Sequence, residues 1–490
     1  MSEEIQQLRD IIVEAVDSVL QACKRRNEDF PVLDTPAHAS EFTSAGIRND
    51  PAVVEASALA VAAASQLIAT LQSPATTLTS AAAGYNLSAC LAAAEHLHIP
   101  EILRNTGPNG MHVDEVVKRT GADAQKIARV LRQLATHHIF REVAPDYFKH
   151  NMISSVLDTG KNLTTIQRDP ATKYDNTNGV AALVSLLADE GMKAGSYLAE
   201  TLADPEAARS QEPTETAIQK AFGFEGTRWD FLDKPENFAS FRRYSAAMVG
   251  TTKLQVPGAI ISEFNWATFP KNGVLVDVGC GMGNISLEVS KVRHDLMYVL
   301  EDRAPVIEGA KAYWNREAPR IHVSGGLNVR FIEHDFLEPQ PVLPRPPDAY
   351  ILRNVLHSWS DKYAREILRN LRATAKADTQ LLIMDSVIEH VCYTPSWTAG
   401  DVVPGYHQDP RPKPLLANLG EANTMPYNMD IAMLNTFNGK ERTILEFRDL
   451  LATCGWELTR VHKNFANTIG CPVLVATPIN LKVRRYQGYP

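Results

Sequence analysis

The chain predicts an α/β fold: a Rossmann-like seven-stranded sheet in its C-terminal half, preceded by a helical, winged-helix-like unit. Three observations carry this. From Gly273 onward, seven short apolar runs alternate with helical stretches, the order of a parallel sheet with helices on its faces. Between 82 and 150, three helical segments end in two short alternating runs joined by Ala144-Pro145-Asp146, a winged-helix pattern. The length of 490 residues also exceeds one domain at roughly 100–200 residues each.

Four regions follow in order. An N-terminal helical extension occupies 1–75. Its first helix carries Ile5, Leu8, Ile12, Val16, Val19 and Cys23 at spacings of three and four, one apolar stripe. Lys24, Arg25 and Arg26 close it where the helix dipole favours cations. Residues 27–50 read as a linker, and 51–73 as a second, alanine-rich helix. The winged-helix-like unit covers 76–160, with helices near 86–97, 113–119 and 124–136 and a hairpin of 139–143 with 147–150. Region 161–265 is helical and aromatic-rich. Region 266–480 holds the sheet, with runs at 274–278, 297–300, 329–333, 349–355, 381–385, 456–462 and 473–477. The last two are close enough to form an antiparallel hairpin. Residues 389–428, rich in Pro and Gly and without a period, form an insertion that is functional or poorly ordered.

Composition excludes several classes. With 49 Lys+Arg against 57 Asp+Glu the net charge is −8, which argues against a surface that seeks nucleic acid or anionic lipid. The winged-helix unit has eight Lys/Arg and seven Asp/Glu over 82–150. Its net of +1 is a poor footprint for DNA. The six cysteines are scattered with no CxxC pair, so neither a zinc site, a redox dithiol nor a disulfide framework is expected. No metal-ligand cluster stands out; His137 and His138 lie far from the motifs below. The N-terminus lacks an apolar signal core. Ala58–Leu71, the most apolar stretch, falls short of the ~20 residues that span a bilayer. These features predict a soluble cytoplasmic protein with no membrane or nucleic-acid partner.

The chemistry lies in the sheet. Val274-Leu-Val-Asp-Val-Gly-Cys-Gly-Met-Gly283 is a buried strand entering GxGxG, and glycines there allow a sharp turn and close approach of a ligand. Position 284 is Asn, so the dehydrogenase pattern G-x-G-x-x-G is not met. The next strand ends in Glu301-Asp302, where an acid accepts hydrogen bonds from ribose hydroxyls. The third ends in His334-Asp335-Phe336, an acid for an adenine amino group and a ring for the purine face. This ordered set resembles the class I methyltransferases that use S-adenosylmethionine, and in particular the small-molecule O-methyltransferases of the caffeic-acid type and their fungal natural-product relatives. The resemblance is tight over 215–478 and looser over 45–160. It implies cofactor contacts from Gly279, Gly281, Asp302, Asp335 and Phe336. Asp302 is preferred to Glu301 because the family phrase Asp-x-x-x-Val-Ile falls on Asp302–Ile307. Arg353 matches a basic position that touches the cofactor in relatives.

Leu352-Arg-Asn-Val-Leu-His-Ser-Trp-Ser-Asp361 ends the fourth strand, at the sheet edge where ligands bind, and His-x-Trp-Ser-Asp matches the family's catalytic-base motif. The resemblance therefore makes His357 a general base. It places Asp385 and Glu441 beside the histidine, although plant members carry Glu where this chain has the shorter Asp385. Thr443-Ile-Leu-Glu446 is a capping box, so Glu446 serves the helix and Glu441 is free for chemistry. Ser360 or Asp361 can cap the following helix, so Asp361 reads as structural, and Trp359 as packing. A phenol has pKa about 10 and histidine about 6.5, so proton transfer between them is uphill by ~5 kcal/mol; a carboxylate beside the imidazole narrows that gap.

Trp229, Phe241 and Met248 precede the sheet, and Met429, Asp430 and Met433 lie on a later helix. Each is ordinary core by spacing, but relatives use these regions as acceptor walls, and an aromatic-lined pocket suits a phenolic or polyketide acceptor. The resemblance also implies a homodimer through the N-terminal domain. Competing readings are an N-methyltransferase and a small-molecule sensor that binds nucleic acid through the winged helix. The 389–428 insertion is expected beside the Asp385 end of the sheet, as part of the acceptor pocket or its lid.

Overall fold

The computed structural model describes residues 3–38, 43, 45–252, 258–317, 328–393, 403–406, 410–462 and 471–479. It divides into two compact units, 1–204 with 217–257, and 205–216 with 258–490.

The first unit begins with a hairpin of two long helices, Glu3–Arg26 and Pro51–Leu71. Leu8, Ile11, Ala15 and Ala22 on one leg and Val53, Ala56, Ala58, Ala62 and Ala63 on the other are buried; the small alanines let the legs approach closely. The second leg, at 21 residues, is long and apolar enough to cross a bilayer by length and composition, which corrects the shorter span expected from Ala58–Leu71 alone. The helix opens at Pro51, as the 51–73 reading expected, because Asp50 accepts from the Ala52 N–H and Pro51 sits in the first turn. The intervening segment is anchored, with the Met152 N–H donating to Leu33 O at 2.9 Å.

The winged helix follows. Helices Tyr85–His96, Val113–Thr120 and Ala124–Thr136 pack around Ile102, Val116, Ile127, Leu131, Leu134 and Phe148. The wing is a three-stranded sheet, β1 (Met111–His112), β3 (Tyr147–Lys149) and β2 (Arg141–Ala144) in that order. The two-residue β1 has no readable alternation and is absent from the sequence expectation. Beyond the wing, Lys173 is buried against Glu95, its Nζ donating to Glu95 O at 2.6 Å.

The second unit contains the seven-stranded sheet. Its strands are β4 (Val274–Val278), β5 (Met297–Asp302), β6 (Asn328–Glu333), β7 (Ala349–Arg353), β8 (Gln380–Met384), β9 (Trp456–His462) and β10 (Val473–Pro478). They stand in the order β6-β5-β4-β7-β8-β10-β9. The first five are parallel, and β10 pairs antiparallel with both β8 and β9. β4 is buried at all five positions, as expected for a central parallel strand with both faces covered. Leu275, Tyr298, Leu300, Trp314, Ile351 and Leu382 form the core. Strand order reverses between β4 and β7, so their C-terminal ends open a crevice at the topological switch point.

The described part of 389–428 is packed. Val403, Tyr406, Leu415, Ala417 and Leu419 are buried. Val461 of the edge strand β9 donates its N–H to Pro404 O at 2.9 Å, and a Cβ on Gly405 would lie 2.2 Å from Val461 O. This segment therefore covers a sheet edge that would otherwise expose unpaired backbone groups. Its opening residues run from the Asp385 end of β8, where Val387 bridges Arg442. Residues 394–402 and 407–409 of the expected insertion lie outside the described residues.

At Gly283 (φ 71°) a Cβ would lie 2.3 Å from Leu300 Cδ2 and 2.5 Å from Trp314 Nε1. Left-handed backbone and overpacking together make Gly283→Ala costly by about 2–4 kcal/mol. Chemical denaturation should show that loss in the sheet-bearing unit, and an unchanged midpoint would contradict the packing described here.

Candidate active site

Five strand ends and one loop build the site. After β4 the chain turns through Gly279, Gly281 and Gly283, at φ 66°, 56° and 71°. Gly279 and Cys280 donate their N–H groups to Glu301 O (2.9 and 3.0 Å), and Gly281 donates to Asp302 Oδ2 at 2.9 Å. The two acids at the end of β5 differ in direction. The Asp302 carboxylate faces the glycine turn, whereas Glu301 is buried, and burial pushes its pKa up to about 8. Beneath the turn, Asp277 is raised to about 7 by burial, and Ser286 donates to it at 2.6 Å.

Phe336 follows β6 and brings its ring against the turn: a Cβ on Gly279 would lie 2.9 Å from Val355 Cγ2 and 3.4 Å from Phe336. The exposed Asp335 accepts from the Leu337 N–H at 3.0 Å. Asn370 donates to Phe336 O and Leu337 O (3.1 and 2.8 Å), a contact that the sequence reading missed. Trp359 packs edge-on to Phe336 at 5.7 Å and also against Tyr363, so it is packing, as expected, and joins the Phe336 loop to the His357 turn.

That turn begins at the end of β7. Arg353 is held near Asp277 and Asp385, and burial lowers its pKa. Asn354 takes a left-handed conformation (φ 51°), which asparagine tolerates, and redirects the chain. His357 Nδ1 lies 2.7 Å from Glu441 Oε1, with the Glu441 side chain wholly buried. Burial by itself lowers the imidazole pKa; the Glu441 carboxylate and its hydrogen bond outweigh that, and the net shift is upward. Glu441 Oε2 is buried without a hydrogen-bond partner among the described residues.

Asp385 differs from the expectation. Its carboxylate does not meet the imidazole; Oδ1 accepts from the Val355 N–H (3.3 Å) and Oδ2 from the His357 N–H (3.0 Å). One methylene shorter than Glu, it grips the backbone of the turn instead of the ring. Burial raises its pKa, and His357 opposes the rise. The cap expected from Ser360 or Asp361 also fails to form. The helix Asp361–Thr374 has no side-chain cap, and Asp361 pairs instead with Arg442 at 2.9 Å. The capping box at Thr443 and Glu446 forms as read, leaving Glu441 to the histidine.

The remaining candidates divide. Asp430, on the helix Thr424–Phe437, accepts from the Glu441 N–H at 2.8 Å, so it holds the backbone at Glu441. Met433 is buried and receives the Ser358 hydroxyl at 3.6 Å, and Met429 is half-buried. Trp229, Phe241 and Met248 belong to the first unit. There Trp229 packs edge-on to Tyr244 at 5.5 Å and Met248 joins the Ala182–Leu183–Ala247 cluster. Gly439 went unread. A Cβ there would sit 2.1 Å from His357 O, and only the Asn438-Gly439 turn pair hinted at so close an approach. A hollow of about 680 Å3 lies at the opposite ends of the strands, lined by Gly273, Asp348, Lys376 and Gln380, and none of the site residues lines it.

Comparison with known proteins decides the family. An O-methyltransferase domain matches residues 199–402, and an O-methyltransferase dimerisation domain matches 79–160. An O-methyltransferase of Armillaria gallica is 38% identical over 481 residues, covering 98% of this chain and 100% of that protein. The chain belongs to the O-methyltransferase family. A 4-O-methyltransferase of Phanerochaete chrysosporium is 35% identical over 94% of this chain and 96% of its own. A sterigmatocystin 8-O-methyltransferase of Aspergillus parasiticus is 27% identical over 75% and 73%. Among solved structures, the mitomycin 7-O-methyltransferase has the same fold, with a TM-score of 0.60 at 22% identity over 82% of this chain and 97% of that one.

The enzyme is an O-methyltransferase of small metabolites, and its cofactor is S-adenosylmethionine. The residues present fit that group. The glycine turn leaves open space at Gly281, where a Cβ would meet nothing within 4 Å. Acids stand at the ends of β5 and β6, and Phe336 offers a ring beside Gly279.

Because the His357 shift comes from Glu441, Glu441→Gln should lower the imidazole pKa. An NMR titration of the folded variant should place it below that of the wild-type protein, and an unmoved midpoint would contradict the electrostatic origin described here.

Proposed function

We propose that the O-methyltransferase acts on a phenolic hydroxyl of a small aromatic or polyketide-type metabolite, with His357 as general base. The single observation behind this reading is the buried His357–Glu441 pair at the C-terminal ends of the sheet, 2.7 Å between Nδ1 and Oε1. A phenol of pKa about 10 holds its proton against a free imidazole of about 6.5 by roughly 5 kcal/mol. Glu441 raises the imidazole pKa and so narrows that gap. With Nδ1 committed to Glu441, Nε2 is the atom left to take the proton. When bound, S-adenosylmethionine supplies a methyl group on a sulfonium, an electrophile that a phenoxide attacks in line. The chain's own part is to strip the hydroxyl proton and to hold the acceptor in register; alignment of this kind is worth roughly 7–11 kcal/mol.

Gly279, Gly281, Asp302, Asp335, Phe336 and Arg353 form the proposed cofactor set, and Met429 and Met433 part of the acceptor wall. The name of the sterigmatocystin 8-O-methyltransferase supports a polyketide-type acceptor. The dimerisation domain supports a homodimer through the N-terminal unit, as do the exposed apolar side chains Ile68, Leu71 and Leu78 just before that domain and Tyr85 within it, since a run of this kind on a protein surface marks an interaction site.

His357→Ala should lower kcat by roughly 10²–10⁴-fold and leave cofactor affinity within about twofold, because the ring is not in the proposed cofactor set. Methyl transfer from radiolabelled cofactor to a phenolic panel, with calorimetry for binding, measures both. Undiminished turnover would remove His357 as the base.

A further inference from the structure

Two motifs in the sequence contain more than the chemistry uses. Each holds one residue of the His357–Glu441 pair, and each also holds a charge that the chemistry leaves unused, Asp361 in Leu352–Asp361 and Arg442 in Phe437–Thr443. The structure joins those charges as well. Arg442 is fully buried. Its Nε and Nη2 donate to Asp361 Oδ1 at 3.1 and 2.9 Å. Its Nη1 donates to Leu356 O and its Nη2 to Trp359 O, both at 2.8 Å. Those carbonyls lie on either side of His357, one residue before it and two after.

We propose that Arg442, oriented by Asp361, is a positioning residue that fixes the His357 turn for proton transfer; this rests on the reading of His357 as base. The His357–Glu441 pair needs a narrow geometry, and neither partner sets it alone. Asp385 holds the turn by its N–H groups, and Arg442 holds the same turn by its carbonyls. Because Arg442 and Glu441 are neighbours, one stretch of backbone carries both the guanidinium that grips the turn and the carboxylate that meets the ring. The stretch is fixed in its own right. Arg442 O accepts from Ile388 N–H at 3.1 Å, beside the Asp385 end of β8, and Gly439 lies against His357 O. A movement of the turn is therefore opposed at the backbone on both sides of the imidazole.

The side chain must be arginine. Two carbonyls and a carboxylate need several N–H donors in a fixed plane, which the guanidinium supplies and an ammonium does not. Lysine at 442 keeps the charge and loses the fork. Asp361 is partly exposed, and Arg365 and Lys440 also lie within 4.0 Å of it. Its carboxylate is thus replaceable without opening the core, which gives a second, gentler way to loosen Arg442.

The test compares Arg442→Lys, Asp361→Asn and His357→Ala in the full-length enzyme. Misplacement on the scale of an ångström costs on the order of 10²-fold in rate. Arg442→Lys and Asp361→Asn should therefore lower kcat by roughly 10–100-fold, with acceptor KM and cofactor affinity within about twofold. In Arg442→Lys the His357 titration by NMR should move to lower pH, since a displaced ring loses the benefit of Glu441 while the local charge is kept. Asp361→Asn combined with Arg442→Lys should lose no more than the worse of these two single variants. Wild-type kcat in a folded Asp361→Asn or Arg442→Lys overturns the proposal. So does a kcat loss accompanied by an equal loss of cofactor binding, which marks a purely structural role. If Arg442→Lys does not fold, Asp361→Asn decides alone. Loss of activity in His357→Ala with both other variants intact refutes the positioning role only; retained activity in His357→Ala refutes the base itself.

Discussion

The hydrogen bond between His357 and Glu441 is the interaction on which the rest of the site depends. An imidazole in a buried setting loses basicity, because burial disfavours the charged form. Left alone, His357 would be a weaker base than free histidine, in a reaction that asks for a stronger one. Glu441 reverses the sign, and it does so because its own side chain is wholly buried, where little water screens the attraction. That arrangement is costly to build. A buried carboxylate must be paired, and one of its oxygens has no partner among the described residues. The surrounding contacts make sense as the means of keeping this one pair in register.

The fold supplies those means at short range, although the two residues are 84 apart in sequence. β7 delivers the histidine turn, β8 delivers Asp385 to its backbone, and the loop before the helix Ile444–Thr453 brings Glu441. The same sheet edge presents the glycine turn and the acids after β5 and β6. The fold alone does not select this chemistry. A pericyclic reaction enzyme shares it, with a TM-score of 0.64 at 19% identity. Here the activity is identified by the family relationship, and the proposed mechanism rests on the side chains at the strand ends.

Much of this was legible in the sequence for physical reasons. The buried strands read as apolar runs because both faces of a parallel sheet are covered, and the helices read by their three-and-four spacing. The glycine turn was visible because only glycine adopts the left-handed conformation cheaply while leaving room for a ligand. The capping box at Thr443 and Glu446 separated Glu446 from Glu441 correctly. What stayed hidden depends on direction and distance. Nothing in the letters shows that Asp385 meets two N–H groups instead of a ring, since that follows from one methylene and the height of β8. Asp361 looked like a cap because aspartate at a helix start usually is one. Arg442 drew no reading because a buried arginine is recognised only by the carbonyls around it. The strand β1 and the edge-covering segment at 403–406 escaped because neither has a period.

The central claim is that Glu441 sets the basicity of His357 in the working enzyme. The pH dependence of kcat, measured for the wild-type protein and for Glu441→Gln, tests it most directly. Only the neutral imidazole accepts a proton, so activity should rise through one ionisation as pH increases. Because the folded-state pKa is raised, the wild-type limb should lie above the ordinary histidine value of about 6.5. In Glu441→Gln burial is opposed only by the smaller effect of Asp385, so the limb should move to lower pH while the plateau falls. Coincident acid limbs in the two proteins, or a wild-type limb below 6.5, would contradict the account.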